Sequence, residues 1–161
     1  MATSVTSAPE SVWDYPRPPA ISPDTRRVRV EFAGIVIADT TRALRILETS
    51  HPPNFYIPPQ DVRMDLLTRE DHHSFCEWKG QADYWTIRIF REIAANAAWS
   101  YAKPIAQYTP IKDYISFYPG RVDACWVGDE KVTPQAGTFY GGWITSDVQG
   151  PFKGGPGTVG W

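Results

Sequence analysis

The chain reads as a single, compact, mainly β domain with little helix. Fifteen prolines and twelve glycines in 161 residues interrupt too many helical stretches for a bundle. Strict polar–apolar alternation, the pattern of a half-buried strand, begins at Arg27 and recurs further on. A hydrophobic share of 42% with 14% aromatics excludes disorder for most of the chain, and its length suits one domain with a core but not two.

In order, residues 1–11 are mostly small and polar without periodicity, and a flexible N-terminus is expected there. The segment V-W-D-Y-P-R-P-P, 12–19, sets two large rings beside three prolines and predicts a stiff arm wrapped over the domain. Val28, Val30 and Phe32 alternate with Arg29 and Glu31, and Ala33-Gly34 turns into Ile35-Val36-Ile37, a β-hairpin. Ala43 to Glu48 forms the next strand, with Glu48 on the face of Leu44 and Ile46. Pro52-Pro53 breaks it, 54–57 is a short strand, and Pro58-Pro59 ends that one. Residues 60–67 hold at most one or two helical turns. A strand is expected from Cys76 to Ile89, with Gly80 and Ala82 as small positions where another backbone or a ligand approaches. Residues 93–98 are ambiguous between helix and strand, whereas 99–102 lead extended into a proline. Residues 114–118, 123–127 and 130–132, joined by Pro119-Gly120 and Gly128-Asp129, form a meander. The glycine-rich end is expected as an ordered coil over the sheet, burying Phe139, Tyr140, Trp143, Phe152 and Trp161.

Composition narrows the function classes. Sixteen basic against eighteen acidic side chains give a net charge of -2, without the positive field that nucleic-acid binding uses. No apolar run approaches the roughly 20 residues of a membrane helix, and the first dozen residues lack the regions of a signal peptide. A cytoplasmic protein that binds neither nucleic acid nor membrane is expected, with a small molecule as partner and a homodimer left open. Cys76 and Cys125 are expected as free thiols and do not make a C-x-x-C zinc site.

Reactive groups gather in a rigid frame between residues 48 and 101. Glu48, at a strand end before Ser50, His51 and Pro52-Pro53, is the strongest candidate, because apolar neighbours would raise its proton affinity and suit it to acid–base work; pairing with an arginine is the structural alternative. In C-E-W-K-G, alternation along one strand sets Cys76 and Trp78 opposite Glu77 and Lys79. Lys79 suits an anionic or carbonyl substrate, or a solvated surface position. Cys76 is a nucleophile with a histidine as base, or a small buried hydrophobe. Tyr56, Tyr84, Trp99 and Tyr101 line a pocket or fill a core. Asp71-His72-His73 lacks metal-ligand spacing and reads as a solvated loop, so no metal is expected. Gly141-Gly142 and 154–157 lack the strand–loop–helix grammar of a phosphate loop and read as turns.

E-T-S-H-P-P-N-F-Y-I-P-P-Q-D-V, C-E-W-K-G-Q-A-D-Y and A-A-W-S-Y-A-K-P together resemble the characteristic blocks of domain of unknown function family 427, sometimes filed under a nucleotidyltransferase-like label. The resemblance spans about Arg27 to Val132, and the flanks look like the longer form of the family. It implies an antiparallel β-tent-like fold, shared with certain zinc-binding and sulfoxide-reductase domains whose paired C-x-x-C ligands are missing here. The family motifs fall on Glu48, Pro52, Pro53, Tyr56, Pro58, Cys76, Lys79, Gly80, Tyr84, Trp99 and Tyr101. Nucleotidyl transfer usually wants a G-S loop and clustered aspartates, and no G-S followed by D-x-D is present.

The expectation is therefore a cofactor-independent acid–base enzyme on a small organic molecule, of isomerase, cyclase, lyase or hydrolase type. Glu48 and Lys79 take the catalytic roles, and Tyr56, Cys76, Tyr84, Trp99, Tyr101 and His51 bind the substrate. The alternatives are a non-catalytic binding module and nucleotidyl transfer.

Overall fold

The computed structural model describes residues 9–137 and 139–161, so 1–8 of the expected flexible N-terminus lie outside the described residues. Strands β1 (Glu10–Ser11), β2 (Ala20–Asp24), β3 (Val28–Phe32), β4 (Ile35–Thr40), β5 (Ala43–Leu47) and β6 (Asn54–Ile57) come first. The long strands β7 (Leu67–Cys76), β8 (Gly80–Ile89) and β9 (Glu92–Ser100) follow, then β10 (Ile115–Phe117), β11 (Ala124–Val127) and β12 (Glu130–Lys131). Two-residue strands β13 (Thr133–Pro134), β14 (Trp143–Ile144) and β15 (Val148–Gln149) punctuate the glycine-rich end. Helix among the described residues is confined to short 3-10 segments, so the protein is mainly β, as expected.

Seven strands form the main sheet in the order β2-β5-β6-β10-β9-β8-β7, and four form a second in the order β12-β11-β3-β4. Every neighbouring pair in these two sheets is antiparallel. The alternation of β3 does what it predicts: Val28, Val30 and Phe32 are buried and pack, with Ile37 and Cys125, against Phe55, Ile57, Ile87, Ile115 and Phe117 of the main sheet. Each fully buried side chain of this size contributes roughly 1.5–3 kcal/mol. The opposite face of the main sheet carries a second cluster, Ile46, Tyr56, Tyr84, Trp99, Tyr101 and Tyr118 among them. Strand β6 serves both faces, Phe55 and Ile57 entering the core between the sheets and Tyr56 the other cluster.

Three local expectations are corrected. Cys76 to Ile89 is not one strand: β7 ends at Cys76, Glu77-Trp78-Lys79 is a hairpin turn, and β8 starts at Gly80. Gly80 has φ +112, which an L side chain rarely adopts, whereas a Cβ there would lie 3.4 Å from the Lys103 carbonyl oxygen, an ordinary contact, so the backbone angle rather than the space calls for glycine. Residues 71–73, read as a solvated loop, belong to β7. That strand lies at the edge of the main sheet and most of its side chains are exposed, so it needs no apolar alternation to betray it. Phe139, expected to be buried, is 62% exposed, whereas Trp143 is fully buried. The ambiguous stretch 93–98 is strand, secured because β9 is paired by β8 on one side and β10 on the other.

The N-terminal arm is fastened at several points. Glu10 and Ser11, part of the stretch read as flexible, pair in parallel with β15, and Val12, Tyr15 and Val148 form a small core of their own. Arg45, 8% exposed, donates to Glu10 at 3.0 Å and lies 3.7 Å from Asp24, which also receives Arg26 at 2.6 Å. Hydrogen bonding from Arg45 holds the Glu10 carboxyl below its ordinary value. Burial opposes the charge of Asp24, but the side-chain and backbone hydrogen bonds from Arg26 outweigh it, and that carboxyl is lowered as well. A carboxylate with a depressed folded-state pKa stabilises fully above its ordinary value, 3.8 for Asp24, and loses that contribution as pH falls through the folded value. Thermal melts between about pH 5 and pH 2 should therefore show Asp24→Asn less stable than wild type at the upper end and falling less steeply with acid. Parallel curves would mean that the network does not titrate with unfolding.

Candidate functional site

A cavity of about 260 Å³ opens on the face of the main sheet that carries the second cluster. All eight residues singled out from the sequence line it: Glu48, His51, Tyr56, Cys76, Lys79, Tyr84, Trp99 and Tyr101. They arrive from separate elements, β6 bringing Tyr56, the β7–β8 hairpin Cys76, Lys79 and Tyr84, and β9 Trp99 with Tyr101 just beyond it. Tyr84 and Trp99 are register partners, so their side chains share the cavity face.

Glu48 follows β5 directly, on the side of Leu44 and Ile46 as alternation requires, and its side chain is 21% exposed. Arg17 Nε lies 3.8 Å from Glu48 Oε2, so the arginine partner weighed above is present while the carboxylate still lines the cavity. Two outer segments clamp this corner: the Ser50 N–H donates to the Val12 carbonyl at 3.0 Å, and the Lys153 N–H donates to the Ser50 carbonyl at 2.8 Å. Ser50 is fully buried with φ +70, a left-handed conformation costly for a residue with a Cβ and sustained by those contacts.

His51 Nδ1 sits 2.8 Å from the Thr49 carbonyl oxygen. A carbonyl only accepts, so Nδ1 carries the proton and Nε2 of the neutral ring is the acceptor. Burial pushes the imidazole below its ordinary value, against the Thr49 hydrogen bond and the Glu48 charge, and the charges of Lys153 and Arg17 add to the lowering. The ring also meets the edge of Tyr140, centroids 5.6 Å apart.

The phenols are polar walls rather than bases. Burial raises the pKa of Tyr56, of Tyr101 and of Tyr118, keeping all three neutral. Trp99 Nε1 donates to the Tyr56 hydroxyl at 3.1 Å, and the Trp99 ring packs on Tyr118 with centroids 4.6 Å apart. Ser74 Oγ and the Tyr84 hydroxyl are 2.6 Å apart, while His72 stacks on the Tyr84 ring at 4.6 Å. Lys79 is 6% exposed and lies over Tyr101 at 6.0 Å, and its turn is held by the Ile105 N–H donating to the Lys79 carbonyl at 2.8 Å. Cys76 is half-buried and Cys125 buried, both as free thiols. Among the described residues no group of three or more His, Cys, Asp or Glu is placed to hold a metal ion, and no helix is long and apolar enough to cross a membrane.

Sequence reasoning missed part of the wall. Tyr118, Tyr140, Gly141 and Lys153 line the cavity too, as does Ser74 from the unrecognised strand β7. Of the two glycine pieces read as turns, 154–157 holds turn residues, whereas Gly141-Gly142 is irregular backbone and Gly141 lines the cavity: a Cβ on Gly141 would lie 2.6 Å from Trp99 Cζ3, so only hydrogen fits between the segment and the indole. The available signal was F-Y-G-G-W, two glycines inside an aromatic run, which marks close approach of a backbone to a ring.

A comparison with curated proteins gives no match. A family model described as a domain of unknown function, DUF427, and labelled NTP_transf_9 matches residues 20–128. That span contains all eight expected site residues, and the far wall from Phe139 to Lys153 lies outside it. The match covers more than half of the sequence, with E-T-S-H-P-P-N-F-Y-I-P and C-E-W-K-G inside it, and the chain belongs to the DUF427 family.

Proposed function

We propose that this protein is a cofactor-independent enzyme that moves a proton on a small organic molecule. The supporting observation is the convergence of a carboxylate, a neutral imidazole whose Nε2 is left as the acceptor, a largely buried lysine and neutral phenols on one cavity. In this reading Glu48 takes or returns the proton and Lys79 holds the anionic or carbonyl end of the substrate. Tyr56, Tyr84 and Tyr101 orient it, with His51 and Cys76 at the walls. A positioned acid–base group contributes about 10²–10⁴-fold to such a step.

Proton transfer is detectable before the reaction is known. Small keto and enol acids incubated with the enzyme in deuterium oxide should exchange C–H protons next to the carbonyl, followed by proton NMR. Glu48→Gln should remove that exchange and leave ligand affinity within a few fold. Binding without exchange by the wild type would instead establish a binding module, a reading favoured by the Arg17 partner of Glu48. Nucleotidyl transfer has weaker support, since that chemistry wants carboxylates gathered around Mg²⁺. An AMP-modified product on adding Mg²⁺ and ATP would favour it.

A further inference from the structure

We infer that the cavity takes a small, flat organic monoanion, a carboxylate on an aromatic or unsaturated body, with the carboxylate on Lys79. The inference rests on the same pocket as the acid–base reading and adds the substrate class. Of the charged groups lining the cavity, Glu48 faces Arg17 at 3.8 Å, and Lys153 Nζ reaches the Trp161 carbonyl at 3.4 Å and lies over Tyr140 at 5.7 Å. Glu77 is exposed on the hairpin turn. Lys79 is different: it is more than nine-tenths buried, and its one side-chain contact given among the described residues is the Tyr101 ring, at the 6.0 Å limit of a cation–π contact. An ammonium carries three donors, and Lys79 Nζ is not sealed among the buried unpartnered atoms but keeps access to the cavity, where those donors are open to a ligand acceptor. A bound carboxylate supplies acceptors and the missing counter-charge together.

The size and shape of the ligand follow from the walls. The cavity of about 260 Å³ lies near the lower end of the ~300–1,000 Å³ range of small-molecule pockets, a size for one ring with an acid group. Tyr56, Tyr84, Trp99 and Tyr101 present aromatic rings, with the tyrosine hydroxyls and the indole N–H as the polar points, which favour a planar body over a sugar or a polyphosphate. Of the two lysines lining the cavity, Lys79 is the buried one with no hydrogen-bond acceptor among the described residues, and a single carboxylate satisfies it.

Calorimetric titration of the full chain with benzoate and trans-cinnamate, against benzamide as the neutral isostere, tests this. At least one of the two carboxylates should bind about tenfold or more tightly than benzamide, the scale of one hydrogen-bonded charge. Lys79→Met, shown folded by its melting curve, should erase the preference, and Lys79→Arg should keep most of it. Equal binding of acid and amide, persistence of the preference in Lys79→Met, or no binding by either carboxylate up to about 10 mM would overturn the inference. Carboxylate binding with no deuterium exchange sinks only the enzymatic reading. Exchange on neutral carbonyl compounds with no carboxylate preference sinks only this one.

Discussion

Trp143→Ala should lower the free energy of unfolding by about 3–5 kcal/mol, the range for removing a large buried aromatic side chain. Trp143 is fully buried in the core between the sheets, stacked on Phe55 with centroids 4.8 Å apart and planes at 26°. Its indole Nε1 donates to the Phe117 carbonyl at 2.9 Å, and its backbone N–H donates to the Pro53 carbonyl at 2.8 Å. Alanine leaves a cavity beside Phe55 and takes a donor from a buried carbonyl, two penalties that add. Trp143→Phe keeps most of the ring and loses only the indole donor, so it should fall between the two. Urea unfolding followed by fluorescence measures both. A loss below about 1 kcal/mol for the alanine variant would mean that the C-terminal segment unfolds apart from the rest of the protein.

Gly141→Ala should damage the cavity more than the fold. The added methyl would sit 2.6 Å from Trp99 Cζ3 and 3.1 Å from Tyr118 Cδ1, and both rings are packed. Either the indole moves, breaking its hydrogen bond to Tyr56, or the 139–142 segment lifts away from the pocket. Overpacking of this kind costs roughly 1–3 kcal/mol. Displacing a wall by even 1 Å should lower deuterium exchange or carboxylate affinity by about tenfold or more, since binding geometry tolerates little error. Gly155→Ala is the control, because its Cβ would meet nothing within 4 Å and its φ is not in the left-handed region. Equal effects of the two substitutions, or undisturbed binding in Gly141→Ala, would show that the segment does not form a cavity wall.

How much of this was legible in the residues depended on how local the governing force was. The β3–β4 hairpin and strands β5 and β6 follow from alternation and from the proline pairs that end them, all within a few residues. Parity put Glu48 on the Leu44 and Ile46 face; the strand ends one residue earlier, at Leu47, and Glu48 lines the cavity on the side of that cluster. The C-E-W-K-G stretch misled, because two strands joined by a tight turn carry nearly the same composition as one long strand. Only the pairing of Cys76 with Gly80 separates the two cases. Strand β7 was invisible for another reason: an edge strand with exposed side chains draws its stability from one row of backbone hydrogen bonds, which no side-chain pattern records.

The residues alone determined a mainly β protein and a set of eight reactive side chains held in a rigid frame, since alternation and proline and glycine act over short distances. Only the tertiary structure decided that these eight face one cavity and that Tyr140, Gly141 and Lys153 complete it. Closing the pocket takes contacts such as Lys153 to Ser50 and Gly141 against Trp99, between segments far apart in the chain. Those contacts exist because two sheets and an overlying coil must bury their apolar faces together, a condition on the whole chain that no window of neighbouring residues contains.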